Sequence, residues 1–323
     1  MKSSENIRKE LLKESVKDYK VDKDTTIAQL IEFFKESGGF TCVDIAKAVD
    51  ILTEAYSKEN CINFLSFPAC IIATGLRGLL ADLIKRDLIH VIITTGGTID
   101  HDLARSFGGK YYSGSFDLDD VMLKDLNIHR LGNVLVPLEN YGPLIEKVTW
   151  QLVGEISSLT SKSVFGVREL LYEIGKRISD ENSILAQAAK HGVRVYAPGI
   201  LDSAFGTSLF TYSQLHNFKL DLFKDMKELA DIVWEAKCCS ALMIGGGISK
   251  HHTIWWNQFR GGLDYAVYIT TAIEYDGSLS GARLREAISW GKLKRNAKHV
   301  TIHGEATVIL PLILAGVYAR LSL

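Results

Sequence analysis

Side chains able to carry chemistry crowd into the last quarter of the chain. Gly245-Gly246-Gly247 runs directly into Ile248-Ser249-Lys250-His251-His252, and Asp276-Gly277 is followed by Glu286, Trp290 and Lys292. A histidine ring can hold or move a proton near neutrality. A lysine becomes a nucleophile once its amine is neutral, in a desolvated pocket or beside another cation. Three successive glycines cost chain entropy, and their use is close approach of backbone to a ligand. Glu286 and Trp290 are four residues apart and share a face if their segment is helical. Gly291 has the character of a helix-ending glycine, which puts Lys292 just beyond the end. A lysine there ordinarily complements the helix dipole in solvent, so position alone does not single it out. Trp255-Trp256 suits either a core or the wall of a cationic pocket.

Other chemistries are disfavoured. Adjacent histidines project in different directions and no glutamate stands at zinc-protease spacing, so no metal is expected at His251-His252. The five cysteines, Cys42, Cys61, Cys70, Cys238 and Cys239, form no Cys-x-x-Cys pair. Neither a disulfide framework nor a zinc site is expected, and a reducing compartment fits better. The Gly-x-Gly-x-x-Gly fingerprint is absent, and Gly291-Lys292 lacks the remainder of a phosphate-binding loop. A second glycine turn, Thr94-Thr95-Gly96-Gly97-Thr98, follows a β-branched run and precedes Asp100, His101 and Asp102. It reads either as an ordinary turn or as a phosphate cradle at a helix start.

These segments need a scaffold. The 323 residues are 47% hydrophobic, enough for a large core, and the net charge of −1 argues against binding nucleic acid by phosphate neutralisation. Met1 to Lys23 is densely charged without an apolar centre, unlike a secretory signal. Ala306 to Ala319 is too short to span a bilayer and reads as a buried strand followed by a buried helix. Helical spacing marks Thr26–Ser37, Cys42–Ser57, Gly75–Arg86, Glu181–His191 and Leu220–Ala236. Strands are predicted at Asn63–Phe67, His90–Thr95, Arg194–Ala197, Ala241–Ile244 and Tyr265–Thr271. Apolar strands alternating with helices predict one large α/β Rossmann-like domain over 25–323, its mostly parallel sheet covered by helices on both faces. Residues 1–24 form a polar arm. Ligands bind beyond the carboxyl ends of such strands, where the glycines and polar clusters fall. A cytoplasmic location is expected.

The run Gly245 to His252, then Asp264 to Ala272, then Asp276 to Arg283, then Glu286-Ala287-Ile288-Ser289-Trp290-Gly291-Lys292 resembles the deoxyhypusine synthase family, in order and in spacing. Thr94 to Gly97 and Asp202-Ser203 resemble it more loosely. The resemblance extends over about residues 40–320 and is most specific toward the C-terminus. It implies NAD as cofactor, spermidine as aminobutyl donor, and a lysine of the translation factor 5A precursor as acceptor, by way of an enzyme–lysine imine. It implies Lys292 as that lysine, His251 as the histidine at the amine, and Glu286, Trp290 and Tyr268 as substrate contacts. NAD contacts carry over to Thr95, Asp202, Gly246, Gly247, Thr271, Ala272, Asp276, Gly277, Glu305 and Ala306, and Gly96 joins them from the turn argument. A homotetramer is also implied.

The chain departs from the eukaryotic pattern at several positions. Thr207 and Leu279 stand where acidic residues are expected, Trp255 where an asparagine is, His101 where an acidic residue is, and Cys70 where an asparagine is. Fewer carboxylates around a polyamine could suit agmatine or putrescine. The alternatives are a homospermidine synthase-like or agmatine-using transferase of the same fold, and a non-catalytic NAD-binding paralogue.

Overall fold

The structure is a computed structural model and describes residues 4–323. Six strands form its central sheet: β1 (Cys61–Ser66), β2 (Val91–Thr95), β3 (Arg194–Gly199), β4 (Cys238–Ile244), β5 (Leu263–Thr270) and β6 (Leu293–His303). Their spatial order is β6-β5-β4-β1-β2-β3, and every neighbouring pair is parallel. This is the doubly wound order, which reverses direction between β1 and β4, the switch point where ligands settle in such folds.

Alternating side chains along the strands build a core on each face. Leu65, Ile92, Val195, Leu242 and Val267 face one cluster, with α1 (Phe40–Tyr56), α2 (Leu76–Lys85) and, at the C-terminus, the helix Ala306–Leu321. Phe64, Val91, Tyr196, Met243 and Tyr268 face the other, together with Val233 and Ile254. Val233 comes from α3 (Leu222–Glu235) and Ile254 from α4 (Gly247–Asn257). A sheet buried on both sides needs strands apolar at every position, which explains the unbroken β-branched runs.

Four sequence expectations need correction. The strand β6 was not anticipated, because Lys294, Arg295, Lys298 and His299 break its apolar pattern. It lies at the sheet edge, where charges discourage pairing with another chain. Ala306–Leu321 is one helix with Pro311 inside, not a strand followed by a helix. Cys61 and Cys238 form a disulfide, contrary to the cysteine argument. They are the first residues of β1 and β4 and face each other in register, a proximity that sequence spacing of 177 conceals. Finally, the connection from β2 to β3 carries an unpredicted three-stranded antiparallel sheet, Tyr112–Ser113, Ile128–Leu131 and Val134–Pro137.

Part of the polar arm, residues 1–3, lies outside the described residues. The rest carries a short helix, Ser4–Leu11, and then rests on helix Ile27–Glu36, where Tyr19 stacks on Phe33 and Lys17 pairs with Glu36. Among the described residues no helix is long and apolar enough to cross a membrane.

Candidate active site

At the switch point β4 is followed by Gly245, whose φ is +65°. A Cβ there would lie 3.2 Å from Pro68, so the turn after β4 leans on the turn after β1. Helix α4 then runs back along the sheet and presents His251 and Trp255 one turn apart, their rings stacked at 5.6 Å. Beside them is Lys292. Its Nζ lies 5.6 Å from the centre of the Trp255 ring and 5.2 Å from that of Trp290. Lys292 is 7% exposed, and among the described residues its amine has no hydrogen-bond or ion-pair partner.

The backbone explains its fixed position. Gly291 turns the chain at φ +68°, the Lys292 amide donates to the Ala287 carbonyl, and the Lys292 carbonyl accepts from Leu263. The helix of Glu286–Ser289 is a single turn. It ends before Trp290, so Glu286 and Trp290 do not share a helical face as the spacing suggested. Both are exposed. Burial lowers the His251 pKa, and the Lys292 charge lowers it further, so its ring is neutral at neutral pH. His252 faces the other way. Its Nε2 accepts from Trp256 Nε1 at 3.0 Å, and burial drives its pKa down to about 4, which marks it as core.

The other implied residues gather at the carboxyl edge of the sheet. Thr95 and Gly96 follow β2, Asp202 follows β3, Gly246 and Gly247 follow β4, Thr271 to Gly277 follow β5, and Glu305 and Ala306 follow β6. Asp202, Gly247, Thr271, Asp276, Gly277 and Glu305 are exposed. Hydrogen bonds from Ser278 hold Asp276 below the usual carboxylate range. Glu305 caps the C-terminal helix through the Thr307 amide. Gly247 (φ +73°) and Gly277 (φ +69°) leave open the space that a Cβ would fill. Gly96 and Gly246 have internal reasons to be glycine: a Cβ would strike Ser203 at 2.6 Å in the first case and Ser280 at 2.1 Å in the second.

Lys292 is rooted at the opposite, amino edge. Leu293 pairs with Leu263 at the start of β5, and His303 with Thr270 at its end. That interval separates the Lys292 backbone from the glycine turns by roughly 23 Å at about 3.3 Å per residue. The structure thus resolves two groups, the lysine cluster on the α4 face and the turn cluster at the carboxyl edge, with α4 joining them.

Several polar residues are structural. Asp100 accepts from the Ala204 and Phe205 amides and from Tyr141, capping helix Ala204–Leu215. Asp102 is buried against Arg77, Ser183 and two amides. His101 is buried on Tyr111, with its pKa pushed down to about 4 by burial. Tyr268, expected at the substrate, is fully buried with its hydroxyl donated to the Ser280 carbonyl, leaving no face for a ligand. Thr207 is exposed and donates to the Ser203 carbonyl. Sequence reasoning missed a cavity of about 740 Å³ bounded by Thr74, Arg77, Arg105, Tyr111 and Thr307. Arg105, donating to the Ile72 and Thr74 carbonyls, shapes its wall. No spacing in the sequence links those segments.

Comparison with known proteins decides the family. The deoxyhypusine synthase profile matches residues 29–317. The chain belongs to the deoxyhypusine synthase family. A Sulfurisphaera tokodaii protein named "Probable deoxyhypusine synthase" is 56% identical over 308 residues, 95% of this chain and 98% of its own. An Ignicoccus hospitalis protein of the same name is 52% identical over 320 residues, 98% of this chain and 99% of its own. A solved Entamoeba histolytica chain whose assigned name is also deoxyhypusine synthase superposes with a TM-score of 0.63 at 20% identity, covering 94% of this chain and 97% of its own. That superposition shows a shared fold. Deoxyhypusine synthases are NAD-dependent aminobutyl transferases.

Proposed function

We propose that this chain transfers an aminobutyl group from a polyamine donor to a lysine of the translation factor 5A precursor, with Lys292 as the covalent carrier. The observation that carries the reading is the environment of Lys292: nearly buried, without a polar partner, between two tryptophan rings and beside a neutral histidine. Aromatic faces shelter the amine and leave its nitrogen without hydrogen-bond partners, a setting from which lysine serves as a nucleophile.

Bound NAD would accept a hydride from the donor carbon beside the secondary amine and return it at the end of the cycle. The residues of the carboxyl edge fit such a group. Asp276 is an exposed, ionised carboxylate suited to ribose hydroxyls, and Gly247 offers open backbone at the start of α4. Thr95, Gly96, Asp202, Gly246, Thr271, Ala272, Gly277, Glu305 and Ala306 complete the proposed cofactor set. His251 would accept a proton from the donor nitrogen on a ring nitrogen. Lys292 would attack the oxidised carbon and expel diaminopropane when the donor is spermidine. The acceptor lysine would then displace Lys292, regenerating its amine. Glu286 and Trp290 stand at the mouth to hold the donor's distal ammonium.

The separation of the two clusters favours sites completed between copies in a cytoplasmic homotetramer. Residues 25–323 act as one catalytic domain. Thr207 and Leu279, in place of carboxylates, favour a donor with a different charge pattern, agmatine among them. Incubation with NAD, labelled spermidine or agmatine, and the factor precursor tests the reading. Label on the factor lysine supports it. Labelled homospermidine in a parallel reaction with added putrescine would point to a homospermidine synthase-like activity, and no turnover with retained NAD binding to a non-catalytic paralogue.

A further inference from the structure

Lys250 is the second lysine of the region, and by burial alone it would compete with Lys292 for the nucleophile's role. Burial lowers its amine to about 8, with Glu286 pulling the other way. Geometry excludes it. Its Nζ donates to the Leu279 and Ala282 carbonyls, both at 2.7 Å, and lies 3.8 Å from the centre of the Tyr268 ring. An ammonium has three hydrogens, and two carbonyls plus a ring face account for all of them. No direction remains for attack on a substrate carbon.

The carbonyls it holds belong to the loop that joins Asp276-Gly277 to the Glu286–Lys292 segment. The same loop is gripped at a third point, where Tyr268 Oη and Thr270 Oγ1 both donate to the Ser280 carbonyl, at 2.6 and 3.0 Å. Ser280 is pressed on Gly246 so closely that a Cβ there would lie 2.4 Å from its Cα. Lys250 precedes His251, and Gly246 precedes α4. We infer that Lys250, with Tyr268, is a positioning residue that fastens the 276–283 loop to α4 and so sets Asp276 and Gly277 relative to His251. The loop's use for cofactor rests on the function proposed above; the fastening itself does not.

A buried cation satisfied only by neutral groups is costly to keep, since burial without a counter-charge disfavours the charged form. Its return here is two contacts to one loop that contains no regular secondary structure between Asp276 and Glu286. Loops without ladders or helices open at low free-energy cost unless such side-chain contacts hold them.

Peptide-resolved amide hydrogen exchange on the full, NAD-free protein tests the clamp. In Lys250→Met, peptides covering residues 278–291 should exchange at least about tenfold faster, while those of β4 and β5 stay at the wild-type rate. Tyr268→Phe removes one hydroxyl and little else, and should move the same peptides in the same direction; it decides the matter if Lys250→Met fails to fold. In steady-state assays both variants should raise the KM for NAD more than they lower kcat. Wild-type exchange across 278–291 in the folded variants would overturn the inference, as would an aminobutyl adduct on Lys250. A wild-type protein that binds no NAD would defeat the cofactor reading and leave the exchange result to judge the clamp.

Discussion

The amine of Lys292 lies 5.6 Å from the centre of the Trp255 ring, in a chain where that position is expected to carry asparagine. Trp255 in turn stacks on His251, so one indole neighbours both the Lys292 amine and the His251 ring. An aromatic face attracts an ammonium through its quadrupole and also keeps water from it. That combination holds the lysine side chain in place.

Removing the amine should stop transfer. Lys292→Ala is expected to lower aminobutyl transfer by at least about a thousandfold, the scale on which loss of a nucleophile acts. Lys292→Arg should fail equally, because a guanidinium stays protonated and cannot attack. Slow NAD-dependent cleavage of the donor should survive in both, since water can take the oxidised carbon. Borohydride trapping and peptide mass spectrometry should place the wild-type adduct on Lys292. Full transfer in Lys292→Ala would falsify the assignment.

Trp255→Ala should weaken the grip on cationic substrate while sparing the fold, because the ring is partly exposed. A cation–π contact contributes about 0.5–2 kcal/mol, which converts to roughly a two- to thirtyfold rise in the donor's KM. The acid limb of the pH–rate profile should also shift upward, as His251 loses part of its covering. An unchanged KM and profile would show that the ring only fills space.

The strands near the glycine turns were legible because β-branched runs bounded by glycine have few other uses. Strand β6 was not, because five basic or histidine side chains along it mask a period of two. Lys292, His251 and Trp255 stood out by motif, but their meeting did not, since it depends on where α4 lies on the sheet. Gly96 and Gly246 were read as approach to a ligand, and each also packs against one of the chain's own serines. A glycine signals that something comes close without telling what. Tyr268 was placed at the substrate for its motif, and the motif is there to hold Ser280.

Gly246→Ala should therefore act through Ser280. The added methyl would lie 2.1 Å from its hydroxyl and must displace the loop, at an overpacking cost of about 1–3 kcal/mol. Exchange across residues 278–283 should rise and NAD affinity should fall at least tenfold. Gly247→Ala, strained at φ +73° but free of contacts, should lower stability without loosening that loop. Equal exchange in the two variants would count against the distinction.

The Cys61–Cys238 bridge should show in a thiol count. Denatured without reductant, the protein should titrate three thiols, Cys42, Cys70 and Cys239, and five after reduction. Closing a span of 177 residues restricts the unfolded chain, and the entropy argument gives up to roughly 5 kcal/mol. Urea midpoints with and without reductant measure it. Five thiols before reduction would remove the bridge from the account.

Acid should destabilise the protein well above the carboxylate range. His90 Nδ1 accepts the Asn63 amide at 2.9 Å and must be unprotonated to do so; burial lowers its pKa. His101 and His252 are both driven down to about 4, also by burial. For each, the folded pKa lies below the unfolded value of about 6.5. Above that value neither state is charged and the native fold keeps its full stability. As the pH falls below it, the unfolded chain binds protons that the folded chain refuses, so stability drops until the folded pKa is reached. Asp225 opposes this, because burial pushes its carboxyl up to about 6 and the folded state gains a proton first. Burial also raises the Asp44 and Asp100 carboxyls and lowers His251 and His299, so five histidines act against three carboxyls and leave a net loss, on the order of a few kcal/mol between pH 6.5 and 4. Urea midpoints at pH 7, 6 and 5 should fall in sequence. Replacing His252 with glutamine, which keeps an acceptor for Trp256 and cannot titrate, should flatten the slope by about one group's share. A midpoint constant from pH 7 to 5 would mean that these rings are protonated in the fold as readily as in the open chain.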